Sequence, residues 1–203
     1  MWDEYLYATS IDEALELLAA HRGEAQVIAG GTDLYIASQR GECAAKVVVD
    51  VTRIPGLDRI EEREGYVVIG PQVTHTQIMA SPLIREKAPI LSLACACVGG
   101  PQIRNAGTLV GNVINAQPAA DGAVALFTLD AELEVAGAEG RRWEAIAGIY
   151  RGVGKCSIDP CRELVTAVRF RPLGQDSGCG YQRLARRKAL ALPILVAATT
   201  IRV

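Results

Sequence analysis

One turn constrains the fold more than any other stretch of the chain. Gln26-Val27-Ile28-Ala29 has the apolar character of a short buried strand and runs straight into Gly30-Gly31-Thr32-Asp33, after which Leu34–Arg40 reads as a helix stopped by Gly41. A chain that leaves a strand, passes two glycines and enters a helix has unpaired backbone N–H groups where the helix dipole is positive. Such a turn suits a phosphate or pyrophosphate, and the glycines let the main chain approach with no Cβ in the way. It is not a Walker loop, because no Gly-Lys-Ser/Thr follows, nor a dinucleotide fingerprint, because the third glycine is absent. The same residues also fit a tight turn whose Thr32 or Asp33 merely caps a helix. Asp33 would repel a diphosphate, so its carboxylate is expected to cap or brace the loop while its N–H faces the ligand.

A second segment has similar chemistry. Gly99-Gly100-Pro101 closes an apolar helix predicted over Ile90–Val98, and from Gln102 to Asp121 the chain is rich in Gly, Asn, Ala and Thr without clean periodicity. It reads as a loop built to approach something closely. Thr108, Asn112 and Asp121 offer a hydroxyl, an amide and a carboxylate for the polar edges of a flat or extended ligand, Asp121 being the natural partner of a sugar-type hydroxyl.

Around these loops helices and paired strands alternate. Ser10-Ile11-Asp12-Glu13 has the form of a capping box before an apolar stripe ending at Gly23, and Thr74-His75-Thr76-Gln77 has the same form. Strands are predicted at Lys46–Val51, Arg59–Glu62 with Tyr66–Ile69, Glu132–Val135 with Arg141–Trp143, Leu164–Phe170, Gly180–Leu184 and Ile194–Val203, and a helix at Gly122–Leu129. Segregated helices and hairpin strands argue α+β, with Pro172–Ser177 the expected boundary between lobes.

Charge is balanced, with 21 basic against 23 acidic residues, which excludes a field that would collect nucleic acid or an anionic membrane. The basic cluster Arg183, Arg186, Arg187 and Lys188 is too short to change this and reads as a solvated rim. No stretch approaches the roughly 18 apolar residues of a spanning helix, and no signal-type segment opens the chain, so a cytoplasmic protein is expected. The six cysteines repeat no C-x-x-C unit and are expected to be reduced thiols, with a redox pair across Cys156 and Cys161 a minor alternative.

The two loops together resemble a known family. Ala29-Gly30-Gly31-Thr32-Asp33-Leu34, followed later by Pro101-Gln102-Ile103-Arg104-Asn105-Ala106-Gly107-Thr108, Gly111-Asn112 and Pro118-Ala119-Ala120-Asp121, is similar to the FAD-binding (medium) subunit of molybdenum hydroxylases of the xanthine and carbon monoxide dehydrogenase type. The likeness continues in order through Gly152–Lys155, Glu163–Phe170 and residues 186–191. It implies a two-lobed FAD-binding fold of the type shared with vanillyl-alcohol-oxidase-like flavoproteins, over residues 1–175 (lobes about 1–55 and 56–175), with 176–203 the start of an incomplete C-terminal α+β domain.

The resemblance implies noncovalent FAD, its diphosphate held by Ile28, Ala29, Gly30, Gly31, Thr32 and Asp33. Thr108, Val110, Gly111 and Asn112 match the second cofactor loop, Val98 and Gly99 the stretch beside the flavin ring, Asp121 an acidic contact, Val165 an apolar residue near the ring and Arg183 a cation near the flavin. No catalytic side chain and no metal ligand falls on this chain: the molybdenum cofactor is expected on a large partner subunit and [2Fe-2S] clusters on a small one, with electrons passing to NAD+ or another acceptor. His75 matches the noncovalent family, although distant relatives attach flavin through histidine. Val110 departs from the pattern by replacing one of two paired glycines. Relatives also continue beyond the position of Val203, which implies looser FAD retention here. A non-catalytic binding or assembly module and a stand-alone flavin oxidoreductase are the competing readings.

Overall fold

A computed structural model describes residues 1–187 and 190–203. Lys188 and Ala189, which belong to the basic cluster and to the last matching segment, lie outside the described residues. The chain opens with β1 (Glu4–Tyr7), α1 (Ile11–Ala20), β2 (Ala25–Ile28), α2 (Leu34–Gln39) and β3 (Val47–Asp50). The three strands form a sheet in the order β1-β3-β2, parallel throughout, with Glu4 and Ala25 both in register with Val47. Its centre is the run Val47-Val48-Val49, buried on both faces as the middle of a parallel sheet requires. α1 buries Ala14 and Leu18 in the same apolar cluster.

Next come β4 (Ile60–Arg63), β5 (Tyr66–Ile69), α3 (His75–Ala80), α4 (Pro82–Lys87), α5 (Pro89–Cys97), α6 (Pro101–Ala106), α7 (Leu109–Ile114) and α8 (Asp121–Thr128). They are followed by β6 (Glu132–Gly137), β7 (Gly140–Ala145), β8 (Tyr150–Gly152), β9 (Lys155–Cys156), β10 (Leu164–Phe170), β11 (Ser177–Ala185) and β12 (Pro193–Arg202). A five-stranded antiparallel sheet runs β4-β5-β10-β6-β7, and helices α3, α4, α5, α7 and α8 share its main core with Val67, Leu133, Val165 and Phe170. β10, predicted over the residues it occupies, is the central strand. Its first residue, Leu164, packs instead into the core of the parallel sheet, so one strand serves both clusters.

The junction is polar as well as apolar. Gln72 donates through Nε2 to the carbonyls of Val51 and Ile54, the latter at 2.9 Å, and Val27 N–H donates to Pro160 O at 3.0 Å. β11 and β12 form a separate two-stranded ladder lying on α5 and α8, with Cys179, Tyr181 and Ala198 against the main core.

Two local expectations are corrected. Residues 102–121 are not an irregular loop: α6 and α7 fill most of the segment and α8 begins at Asp121, each of the first two only six residues long. At Ser10 only half of the expected capping box forms. Ser10 Oγ accepts from Glu13 N–H at 3.1 Å, but Glu13 turns to Thr9, accepting from its N–H at 2.7 Å and its hydroxyl. The box at Thr74 and Gln77 is complete. β1, β8 and β9 were not anticipated.

Candidate FAD-binding groove

The two glycine-bearing segments meet. A Cβ built on Gly30 would lie 1.9 Å from the carbonyl oxygen of Ala106 and 3.1 Å from Gly107 Cα, so the first turn is pressed against the end of α6. Gly30 is therefore required by a close approach of two backbones, and Gly31, at φ +65°, by the left-handed turn that follows. On the other side of the contact, a Cβ on Gly107 would meet Thr32 Oγ1 at 3.4 Å and His75 Cδ2 at 3.6 Å.

This packing leaves the N–H groups of Gly30, Gly31, Thr32 and Asp33 without a hydrogen-bond acceptor among the described residues. Four consecutive unpaired donors on a partly exposed turn are a set that could hold an anion. Of the two roles expected of Asp33, capping is absent and only a weak brace of the loop is present. Asp33 stands at the N-cap of α2 with no side-chain capping bond, and its carboxylate accepts only a long 3.4 Å contact from Thr32 Oγ1.

The second segment is pinned from below by α3. His75 N–H donates to Gly107 O at 3.1 Å, Leu109 N–H to Val73 O at 3.1 Å, and Thr76 Oγ1 to Asn105 Oδ1 at 2.6 Å, with a bridge pairing Thr74 and Thr108. Thr108, buried, caps α7 by accepting from Gly111 N–H at 3.0 Å. Asn112 Oδ1 accepts from Ala123 N–H at 3.3 Å, and a Cβ on Gly122 would lie 2.8 Å from that oxygen. Thr108 and the carbonyl end of Asn112 thus build the loop. Val110 occupies its departed glycine position as a buried core residue of α7.

Beside these turns, Arg104 Nη1 donates to Val98 O at 2.9 Å and Gly99 O at 3.3 Å, folding that glycine corner over α6. His75 is 2% exposed, and its Nδ1 lies 3.4 Å from Cys95 Sγ. Burial first, then the Arg104 cation, lowers its pKa to about 4, so the ring is neutral at physiological pH. Burial, with Asp121 as a lesser cause, pushes the Cys95 thiol well above its usual range.

Asp121 and Arg183, expected as an acidic contact and a cation near the flavin, come together as an ion pair. Arg183 Nε donates to Asp121 Oδ1 at 3.0 Å, with side chains only 10% and 6% exposed, and its Nη2 donates to Ala191 O. Tyr181 hydroxyl donates to the same carboxylate oxygen at 2.5 Å. Tyr181 was missed: nothing in a strand of alternating residues reveals that its hydroxyl reaches a carboxylate sixty positions earlier. Val165 lies in the main core, paired with Val135. A cavity of about 200 Å³ bounded by Leu57, Arg59, Glu134 and Thr166 shares no lining residue with the two turns.

A run of free N–H groups against a strip of small residues suits a nucleotide with a diphosphate. The family described as the FAD binding domain in molybdopterin dehydrogenase matches residues 2–172. The chain belongs to this family. Among curated members, it is 33% identical over 184 residues to the 6-hydroxypseudooxynicotine dehydrogenase complex subunit alpha of Paenarthrobacter nicotinovorans, covering 91% of this chain and 62% of that one. It is 32% identical over 188 residues to a putative xanthine dehydrogenase FAD-binding subunit of Escherichia coli (strain K12), covering 92% and 64%. The chain thus spans less than two thirds of the length of these relatives. Among solved structures, reconstituted CO dehydrogenase from Oligotropha carboxidovorans superposes with TM-score 0.94 at 30% identity, covering all of this chain and 70% of that one. The mixed α/β architecture is that of the FAD-binding domain, and its free donors and Cβ-free approach fit the cofactor's diphosphate. No described helix is long and apolar enough to cross a membrane.

Proposed function

We propose that this chain is the flavin-bearing part of a cytoplasmic molybdenum hydroxylase of the xanthine dehydrogenase type, binding FAD noncovalently. In this reading a large partner subunit oxidises the organic substrate at a molybdenum centre, a small one relays electrons through [2Fe-2S] clusters, and NAD+ or another acceptor takes them from this chain. When bound, FAD supplies the exchange between single electrons and pairs. The chain's own residues bind and orient: the N–H groups of residues 30–33 take the diphosphate, the segment 98–112 lies along the cofactor, and Arg183 is held near the ring by Asp121. We extend the reading to the lineage and its parts, a vanillyl-alcohol-oxidase-like fold over residues 1–175 and the beginning of a further domain over 176–203.

The observation that carries the reading is the contact of Gly30 with Ala106, which joins the two turns and leaves the donor run open. Noncovalent binding is supported by His75, whose ring is almost fully buried and engaged by Cys95. The test is purification of the full chain in the presence of FAD, followed by an absorption spectrum before and after denaturation and filtration. A flavin spectrum in the native protein that moves wholly to the filtrate is expected. Absence of flavin in the native protein would favour a binding or assembly module that has lost the cofactor. Turnover of NADH with an artificial acceptor, without partner subunits, would favour a stand-alone oxidoreductase.

A further inference from the structure

Cys43 and Cys161 are far apart in the chain and lie near one another beside β2, the outer strand of the parallel sheet. β2 is an edge strand of that sheet. On its open side Val27 N–H donates to Pro160 O at 3.0 Å, so the turn before β10 runs alongside the strand. At the neighbouring position, Gln26 Oε1 accepts a 3.4 Å hydrogen bond from Cys43 Sγ. Two adjacent residues of one strand therefore anchor Cys43 and the residue before Cys161. The two sulfurs are near enough to interact electrostatically: burial, then Asp159, then Cys43 push the Cys161 thiol above its ordinary range. Both residues are half-buried free thiols.

Cys95 and Cys97 also meet electrostatically, but they stand two residues apart on the one short helix α5. Cys95 is fully buried against His75, and Cys156, the partner the sequence suggested for Cys161, lies on β9, where the acidic groups it meets are Glu144 and Glu163. Neither Cys43 nor Cys161 belongs to the two glycine-bearing turns.

We propose that Cys43 and Cys161 are a thiol pair that hydrogen peroxide converts to a reversible disulfide. In the first step the Cys43 sulfur displaces water from peroxide as the O–O bond breaks, giving a sulfenic acid (RSH + H2O2 → RSOH + H2O). In the second, Cys161 sulfur attacks that sulfur, the S–O bond breaks and a second water leaves (RSOH + R′SH → RSSR′ + H2O). Each sulfur loses one electron overall, and peroxide takes up both. The order follows from the surroundings, because burial and Asp159 disfavour the Cys161 thiolate that a direct attack on peroxide requires. The bond would tie the segment that follows α2, the helix behind the Gly30-Gly31 turn, to the segment that enters β10. Oxidation would thereby clamp the scaffold of the first turn to the second sheet, and a dithiol reductant would release it.

The test uses the full chain, treated with hydrogen peroxide, alkylated and digested without reductant. A peptide joining Cys43 to Cys161 is expected, lost on dithiothreitol, with alkylated cysteines falling from six to four, which is six less the pair. Thermal melting of the oxidised protein should move upward. In Cys161→Ser, with Cys161→Ala as a second variant if the serine misfolds, dimedone should trap Cys43 several-fold more than in the parent. Full alkylation of both thiols after peroxide, a disulfide joining another pair, or equal dimedone labelling of Cys43 in parent and variant would overturn the proposal.

Discussion

The backbone of Gly30 sits against the carbonyl of Ala106 so closely that a single methyl group at position 30 would fall 1.9 Å from that oxygen. Both sides of the contact are main chain, so neither can turn away as a side chain would. Gly30→Ala should therefore push the two turns apart. We expect a loss of about 1–3 kcal/mol in stability, typical of overpacking, together with weakened FAD binding. Gly148→Ala, where an added Cβ meets nothing within 4 Å, is the control and should stay within about 0.5 kcal/mol. Urea midpoints and a flavin fluorescence titration read both; indistinguishable variants would sink the close-approach argument.

His75 gives the protein an acid-side dependence. Its native pKa is lowered to about 4, whereas the unfolded chain takes up the proton near 6.5. Between these values the unfolded state binds more protons, so stability falls as pH falls and is fully present above 6.5, with a slope of up to about 1.4 kcal/mol per pH unit. His75→Gln should flatten the profile between pH 4 and 6.5. Parallel urea-midpoint profiles for the parent and the variant would exclude His75 as the source.

The Asp121–Arg183 pair is almost sealed from water, so its two halves are expected to be strongly coupled. Asp121→Asn leaves the guanidinium uncompensated and should cost about 3–5 kcal/mol. Adding Arg183→Met to it should recover part of the loss. Tyr181→Phe removes a hydrogen bond to a charged group and should cost about 1.5–3 kcal/mol. Additive losses in a double-mutant cycle of Asp121→Asn and Arg183→Met would show that the pair is not coupled.

Thr108 acts as the N-cap of α7. Thr108→Ala should cost about 1 kcal/mol through the lost bond to Gly111 N–H, and Thr108→Ser should restore it. Failure of serine to rescue stability would point to a role for the methyl group instead.

Much of this was legible from the residues, because periodicity and turn chemistry are local. Leu164–Phe170 alternates little and reads as a buried strand, and Glu64-Gly65 and Glu139-Gly140 mark hairpins that are present. α6 and α7 were lost for a physical reason: six residues span less than two turns, too few for an apolar stripe to declare itself, and Pro101 and Gly107 read as breakers. β1 escaped because it is an edge strand with three of its four residues exposed, so it has no alternating apolar face. At the site, the glycines announced the turns. The destinations of Asp121 and Tyr181 depend on partners that sequence distance hides.

The position of β10 has a consequence for synthesis. In the order β4-β5-β10-β6-β7 the middle strand is the last to leave the ribosome. Until Leu164–Phe170 emerges, two hairpins wait with the inner edges of β5 and β6 uncovered, each a template for a neighbouring nascent chain. A message cut short before codon 164 would thus yield aggregates rather than a smaller soluble flavoprotein, and a chaperone that shields strand edges would matter most in that interval of translation.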